Sequence, residues 1–267
     1  LKQRLITGLW AGALFLGLTL LGGWGYHLLL TAMALIGLYE FIKMTKTPPI
    51  GTAAAIAYAA LIGFMIPWRL LDRSPIFSFE QGMWLLLLLF LLLTVFTKNR
   101  VNIGAAALLF VGTVYIGTGF AYMAASRAAG DGHGIYWTFL LLCCIWGSDA
   151  GAYFVGRAVG RNKLWPAISP NKTVEGAAGG VLIAMIIAVV FWLFHTDLFS
   201  AGRALLIGLS CAVVGQLGDL VQSAYKRVYG IKDSGSLLPG HGGILDRCDS
   251  WLIVFPFVHL MTLMPYM

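Results

Sequence analysis

The chain has 267 residues and a formal net charge of +7, yet only 11% of them are charged, 59% are hydrophobic, and the mean hydropathy is +0.84. That balance excludes a soluble globular enzyme, and basic residues that form no patch interleaved with aromatics exclude a nucleic-acid partner. Several apolar runs approach the roughly 20 residues that cross about 30 Å of hydrocarbon, so the fold class read from the sequence is all-α, a polytopic integral membrane helical bundle.

Nine spans are predicted, at about residues 5–22, 24–42, 51–68, 82–97, 102–124, 135–156, 174–194, 203–225 and 249–265. Lys2 and Arg4 ahead of the first apolar run look like the start of a signal peptide, but no convincing small-residue cleavage site follows, so an uncleaved first helix is expected. The short turnaround at Gly22-Gly23 predicts a tight helical hairpin. With the N-terminus cytoplasmic and the C-terminus outside, nine spans place fourteen of the 18 Lys and Arg residues on the inner side, as the positive-inside rule requires. Residues 1–130 form an N-terminal transmembrane region of about five helices, and residues 131–267 a catalytic region of about four helices with cytoplasmic polar loops. Cys143, Cys144, Cys211 and Cys248 include no C-x-x-C pair and predict neither disulfides nor a zinc site.

Chemistry is sparse in the first half. Glu40 is an ionisable group near the end of the second span, but with Lys43 beside it an ordinary ion pair is the favoured reading. Asp149 interrupts the run LLLCCIWGSDAGAYFVG, so its carboxylate faces protein, water or a cation rather than lipid; function is favoured over a structural partner. In the following basic loop, Ser169-Pro170 reads as an N-cap and first-turn proline, which puts Lys172 and Thr173 in the first turn of the seventh helix. Such a terminus can bind an anion or can simply be a capped helix with a basic flank. Gly176, Gly179 and Gly180 lack the Walker pattern and read as close helix packing.

The longest polar interruption runs from Gly218 to Ser250. Asp219, Ser223, Lys226 and Arg227 share one stripe of the eighth helix, either as a site or as a simple ion pair. Asp246 and Asp249, three apart, are expected on one face of the ninth helix's first turn. Two carboxylates that close repel unless a cation or a proton offsets them; a hard oxygen-ligand cation is the favoured solution, and magnesium takes one or two carboxylates plus phosphate oxygens and water. Between them, Gly240, Gly242 and Gly243 let backbone approach a ligand closely. His241 is open to an acid–base role or a structural one.

At these residues the sequence closely resembles the CTP:phosphatidate cytidylyltransferase (CDP-diacylglycerol synthase) family. The signature appears as Ser223, Lys226, Arg227, Lys232, Asp233, Gly235, Pro239 to Gly243, Asp246, Arg247 and Asp249, and the likeness covers about residues 145–255. The resemblance implies phosphatidate and CTP as substrates, CDP-diacylglycerol and pyrophosphate as products, Mg²⁺ as cofactor, and a homodimer; the expected place is the bacterial cytoplasmic (inner) membrane, multi-pass with the site on the cytoplasmic side, an organellar inner membrane being the alternative. The attacking phosphate oxygen is already ionised at neutral pH, so the chemistry expected is electrostatic. Asp219, Asp246 and Asp249, with Asp149 as a further candidate, would hold the metal and leave room for a second cation. Lys172, Lys226, Arg227, Lys232 and Arg247 would hold the triphosphate and the lipid phosphate, with Thr173, Ser223, Gly240, His241, Gly242 and Gly243 lining the substrate. Asp219, Lys226, Asp246 and Asp249 are the expected catalytic set. A CDP-alcohol phosphotransferase is disfavoured because its longer aspartate pattern is absent, and a secondary transporter because the charges gather at one face without an internal repeat.

Overall fold

The structure is a computed structural model that describes residues 2–237, 240 and 242–264, with side chains from residue 7 onward. It is mostly helical: α1 (Lys2–Leu21), α2 (Gly23–Met44), α3 (Thr52–Phe64), α4 (Phe79–Phe96), α5 (Ile103–Arg127), α6 (Gly134–Val159), α7 (Val174–Phe194), α8 (Ala201–Val228), α9 (Leu245–Cys248) and α10 (Trp251–Leu260). Six of these, α2 and α4 to α8, are long and apolar enough to cross a membrane, which makes this a multi-pass membrane protein. The apolar segments Thr7–Leu21, Thr52–Phe64 and Trp251–Leu260 are shorter. At 1.5 Å per residue, the ten residues of α10 reach only about 15 Å. One small antiparallel sheet departs from the all-helical expectation: β1 (Lys163–Trp165) pairs with β2 (Ser169–Thr173).

The chain divides into two compact units. The first comprises Leu1–Ala124 together with Asp233–Arg247. Its expected hairpin forms, with α1 ending at Leu21 and α2 starting at Gly23. Gly22 makes the reversal at φ 67°, a conformation that costs a residue with a Cβ. The rings of Phe15 and Tyr26 meet edge-on across the turn at 6.4 Å. Ser78 and Gln81 form a reciprocal capping box that starts α4. Buried Leu30, Leu38, Ile42, Leu61, Phe90 and Ile116 supply much of the apolar interior.

The second unit comprises Ala125–Lys232 together with Cys248–Met267. Here α6, α7 and α8 approach closely through small residues, as the sequence suggests for Gly176, Gly179 and Gly180. A Cβ on Gly179 would lie 2.6 Å from the Val155 side chain, and on Gly176 and Gly180 it would lie 2.7 Å from the carbonyls of Ala152 and Ser148. Gln216 of α8 ties the three together, donating to Ser148 Oγ at 3.4 Å and to the Ala177 carbonyl at 3.2 Å. Elsewhere in the unit, buried Ser126 and His259 Nε2 hydrogen-bond at 2.7 Å and fix α10 to the last turn of α5.

Candidate active site

The basic loop after α6 does not open the seventh helix at Ser169-Pro170. Those residues belong to β2, and its partner β1 aligns Trp165 with Ser169 and Lys163 with Thr173. Proline has no N–H to give a ladder and is tolerated at the edge of so short a sheet. The helix begins at Val174, and Thr173 is its N-cap, its hydroxyl accepting from Gly176 N at 3.1 Å. Glu175, in the first turn, accepts from the backbone N–H groups of Arg161 and Asn162 and from Asn162 Nδ2 at 2.7 Å, which clamps the hairpin to the helix. Lys172 is therefore a strand residue held ahead of α7.

From that strand Lys172 reaches α8. Its Nζ stands 2.7 Å from Asp219 Oδ2, and both side chains are partly exposed. One turn on, Ser223 Oγ donates to Asp219 Oδ1 at 3.2 Å, as the stripe on α8 predicts. A cation facing Asp219 thus comes from the hairpin. Arg227 instead donates through Nε to the Ile168 carbonyl at 3.2 Å, bracing the turn of the hairpin.

The ninth predicted span does not start as one helix. Asp246 sits in the single turn α9, while Asp249 lies in the turn between α9 and α10. The two carboxylates consequently take different partners. Asp249 is set against α8 by the absence of side chains there: a Cβ on Gly218 would lie 2.8 Å from the Asp249 carbonyl. The next residue, Ser250, donates through Oγ to the Gly215 carbonyl at 3.1 Å. Burial, chiefly, and then the charge of Asp219 push the Asp249 carboxyl up to about 7; Asp149 adds to the rise, while the Ser250 N–H and Lys226 oppose it. Asp149 on α6 is within electrostatic reach of both Asp219 and Lys172. Asp149, Asp219 and Asp249 therefore converge from α6, α8 and the turn before α10, with Lys172 and Lys226 beside them.

Among the described residues, no three His, Cys, Asp or Glu side chains close tightly enough to hold a metal by themselves. The acidic set suits a cation that takes one or two carboxylates and completes its shell with phosphate oxygens and water. A buried carboxyl whose ionisation is held back by two neighbouring acids is what such a cation would relieve. Lys232, Asp233 and Arg247 are exposed.

In the first unit, Asp246 organises the glycine-rich segment. Its Oδ2 accepts from Ser234 N at 2.7 Å, Ser234 Oγ at 3.0 Å and Gly243 N at 2.9 Å. Gly242, at φ 84°, brings its own backbone against the same carboxylate. Gly240 is exposed at φ 80°, and His241 and Pro239 lie outside the described residues.

A second carboxylate there has other partners than the ion pair its sequence neighbourhood suggests. Glu40 of α2 is buried and forms no ion pair with Lys43 among the described residues. It accepts from Ile244 N at 3.1 Å and Leu245 N at 3.0 Å, and it lies 3.2 Å from Ser234 Oγ, whose one proton it shares with Asp246. Its partners lie about two hundred positions along the chain, and the only local signal was an acid in an apolar span.

Residues 2–264 match the sequence model of the Cytidylyltransferase family. A Bacillus subtilis (strain 168) protein named phosphatidate cytidylyltransferase is 41% identical over 263 residues, covering 98% of this chain and 97% of that one. Proteins of the same name from Staphylococcus haemolyticus and Staphylococcus aureus (strain COL) are 38% and 37% identical, each covering 98% of this chain and 99% of its own.

Proposed function

The chain belongs to the cytidylyltransferase family and makes CDP-diacylglycerol from phosphatidate and CTP, and we propose that it does so at the acidic cluster of α6, α8 and the turn before α10. The observation that carries this assignment is the Lys172–Asp219 contact at 2.7 Å, set beside Asp149 and Asp249.

The reaction joins a phosphate oxygen of phosphatidate to the α-phosphorus of CTP and breaks the bond between the α-phosphorus and the oxygen bridging to the β-phosphorus, releasing pyrophosphate. The nucleophile is already an anion, so the enzyme's work is to bring two anions together and spread the charge of the leaving group. Asp219 and Asp249, with Asp149, would hold Mg²⁺, with room for a second cation sharing the carboxylates. Bound there, the metal supplies charge neutralisation to the phosphate oxygens. Lys172 offsets the charge of Asp219 and, with the triphosphate bound, would serve as a phosphate partner. Lys226, Arg227, Lys232 and Arg247 are the further cations assigned as partners of the two phosphate groups. Ser223 fixes the rotamer of Asp219 through its 3.2 Å hydrogen bond. Thr173 orients the strand bearing Lys172 by capping α7. Asp246, with Gly240, His241, Gly242 and Gly243, belongs to the substrate-facing segment, and Asp246 serves that role by shaping the backbone.

We place the site on the cytoplasmic side of a bacterial inner membrane, with nine crossings, the N-terminus inside and the C-terminus outside, and a homodimeric assembly. The inward bias of fourteen among 18 cationic residues supports the orientation.

The test is purified protein in phosphatidate-containing micelles with radiolabelled CTP and Mg²⁺. Labelled lipid and pyrophosphate should appear in equal amounts. Accumulation of CTP in proteoliposomes without a lipid product would instead identify a transporter.

A further inference from the structure

Resting on the nucleotidyl-transfer reading above, we propose that Glu40 is a positioning residue that sets the shape of the glycine-rich segment Asp233–Arg247 and, through it, the enzyme's handling of CTP. Glu40 is 4% exposed and touches no open surface, so it acts through what it holds. What it holds is backbone: Oε1 accepts the Ile244 N–H, and Oε2 accepts the Leu245 N–H and the Ser234 hydroxyl. Two successive N–H groups aimed at one carboxylate are available in one backbone conformation of the entry to α9 and not in an extended one. A cationic side chain would have neutralised this acid with far less geometric demand.

Two further features tie the carboxylate to this segment. A Cβ on Gly235 or on Gly243 would collide with it, so the segment closes around the acid from both sides. The Ser234 hydroxyl also lies 3.0 Å from Asp246 Oδ2, the carboxylate that orders the Ser234 and Gly243 N–H groups. Glu40 and Asp246 therefore share the single proton of one serine hydroxyl, and each sets how far the other can draw on it. A change at Glu40 is passed by Ser234 to Asp246, a residue of the catalytic signature, with no contact to substrate required. The Glu40→Gln variant keeps the volume but turns one acceptor oxygen into a donor facing groups that themselves donate.

The experiment compares wild type with Glu40→Gln and Ser234→Ala in detergent, measuring amide hydrogen exchange over residues 242–246 and steady-state kinetics against CTP and phosphatidate separately. For Glu40→Gln, faster exchange at Ile244 and Leu245 is expected, with kcat/KM for CTP falling at least tenfold while KM for phosphatidate stays within twofold. Ser234→Ala should shift both readouts in the same direction by a smaller factor. Unchanged exchange, or faster exchange with wild-type CTP kinetics, overturns the proposal, as does an equal loss toward both substrates. Should Glu40→Gln not fold, Ser234→Ala decides by the same criteria. If wild type itself formed no CDP-diacylglycerol, the exchange arm would still report on the grip of Glu40, which separates a failure of this inference from a failure of the reaction assignment.

Discussion

Lys172 and Asp219 meet at 2.7 Å, a cation from a two-stranded hairpin and an acid from α8 joined across forty-seven positions of sequence. Lys172→Met removes the charge and keeps the aliphatic stem. Breaking a half-exposed pair costs about 1 kcal/mol in stability, so the protein should remain folded, with a melting temperature within a few degrees of wild type. Its role in offsetting phosphate charge is larger, and kcat/KM for CTP should fall by about a hundredfold, consistent with loss of one charged contact in a transition state.

Asp249→Asn should abolish CDP-diacylglycerol formation, leaving less than about 1% of wild-type rate. Its effect on stability has the opposite sign. The folded carboxyl ionises at about 7 rather than near its ordinary value of 3.8, so between those values the native state holds a proton that the unfolded state has released. Stability of the chelator-treated wild type therefore falls as pH rises through that window, by up to about 1.4 kcal/mol per pH unit. The variant lacks this fall. Thermal melts in chelator should show Asp249→Asn gaining on wild type from pH 5 to pH 8, and a variant that instead loses ground to wild type over that range would contradict the burial of this acid among like charges.

Two glycines of α8 make a matched pair. Gly218→Ala places a Cβ 2.8 Å from the Asp249 carbonyl, whereas Gly202→Ala meets nothing within 4 Å. The first should push the turn before α10 away from α8, lowering activity by at least tenfold and the melting temperature by several degrees. The second should retain activity and gain slightly in stability from a better helix former. Equal behaviour of the two would mean that the turn does not rest on α8.

Removal of divalent metal with EDTA should stop turnover, and added Mg²⁺ should restore it. In wild type the metal should also raise the melting temperature, as any ligand of the native state does. Asp219→Asn should lose most of that rise. A full Mg²⁺-dependent rise in Asp219→Asn would move the metal away from α8.

The helices were legible because their signal is strong and local. The seventh span, read as 174–194, coincides with α7, and the second, fourth, fifth, sixth and eighth shift by a few residues at their ends, whereas the third and ninth are cut short to the 13 residues of α3 and the ten of α10. The site was legible as a set of side chains but not as a geometry. Ser169-Pro170 carries a good capping pattern, yet tertiary pairing with Lys163–Trp165 draws those residues into a strand, a competition that local propensity does not record. Helical spacing put Asp246 and Asp249 on one face; the break after Cys248 separates them, and no breaker residue announces it. Glu40 was visible as an acid in an apolar run, and its nearest cation gave the wrong partner. Its true partners are backbone N–H groups, which carry no sequence signature.

The reach of Glu40 to Ser234 and Leu245 also bears on how the protein is made. Its helix enters the bilayer early in synthesis, whereas the hydrogen-bond donors that will cover its carboxylate are among the last to leave the ribosome. Throughout that interval the nascent chain carries an uncompensated acid near the membrane interface, costly to bury and costly to leave in lipid. A polypeptide interrupted before Ser234 lacks every group that covers this acid in the finished fold.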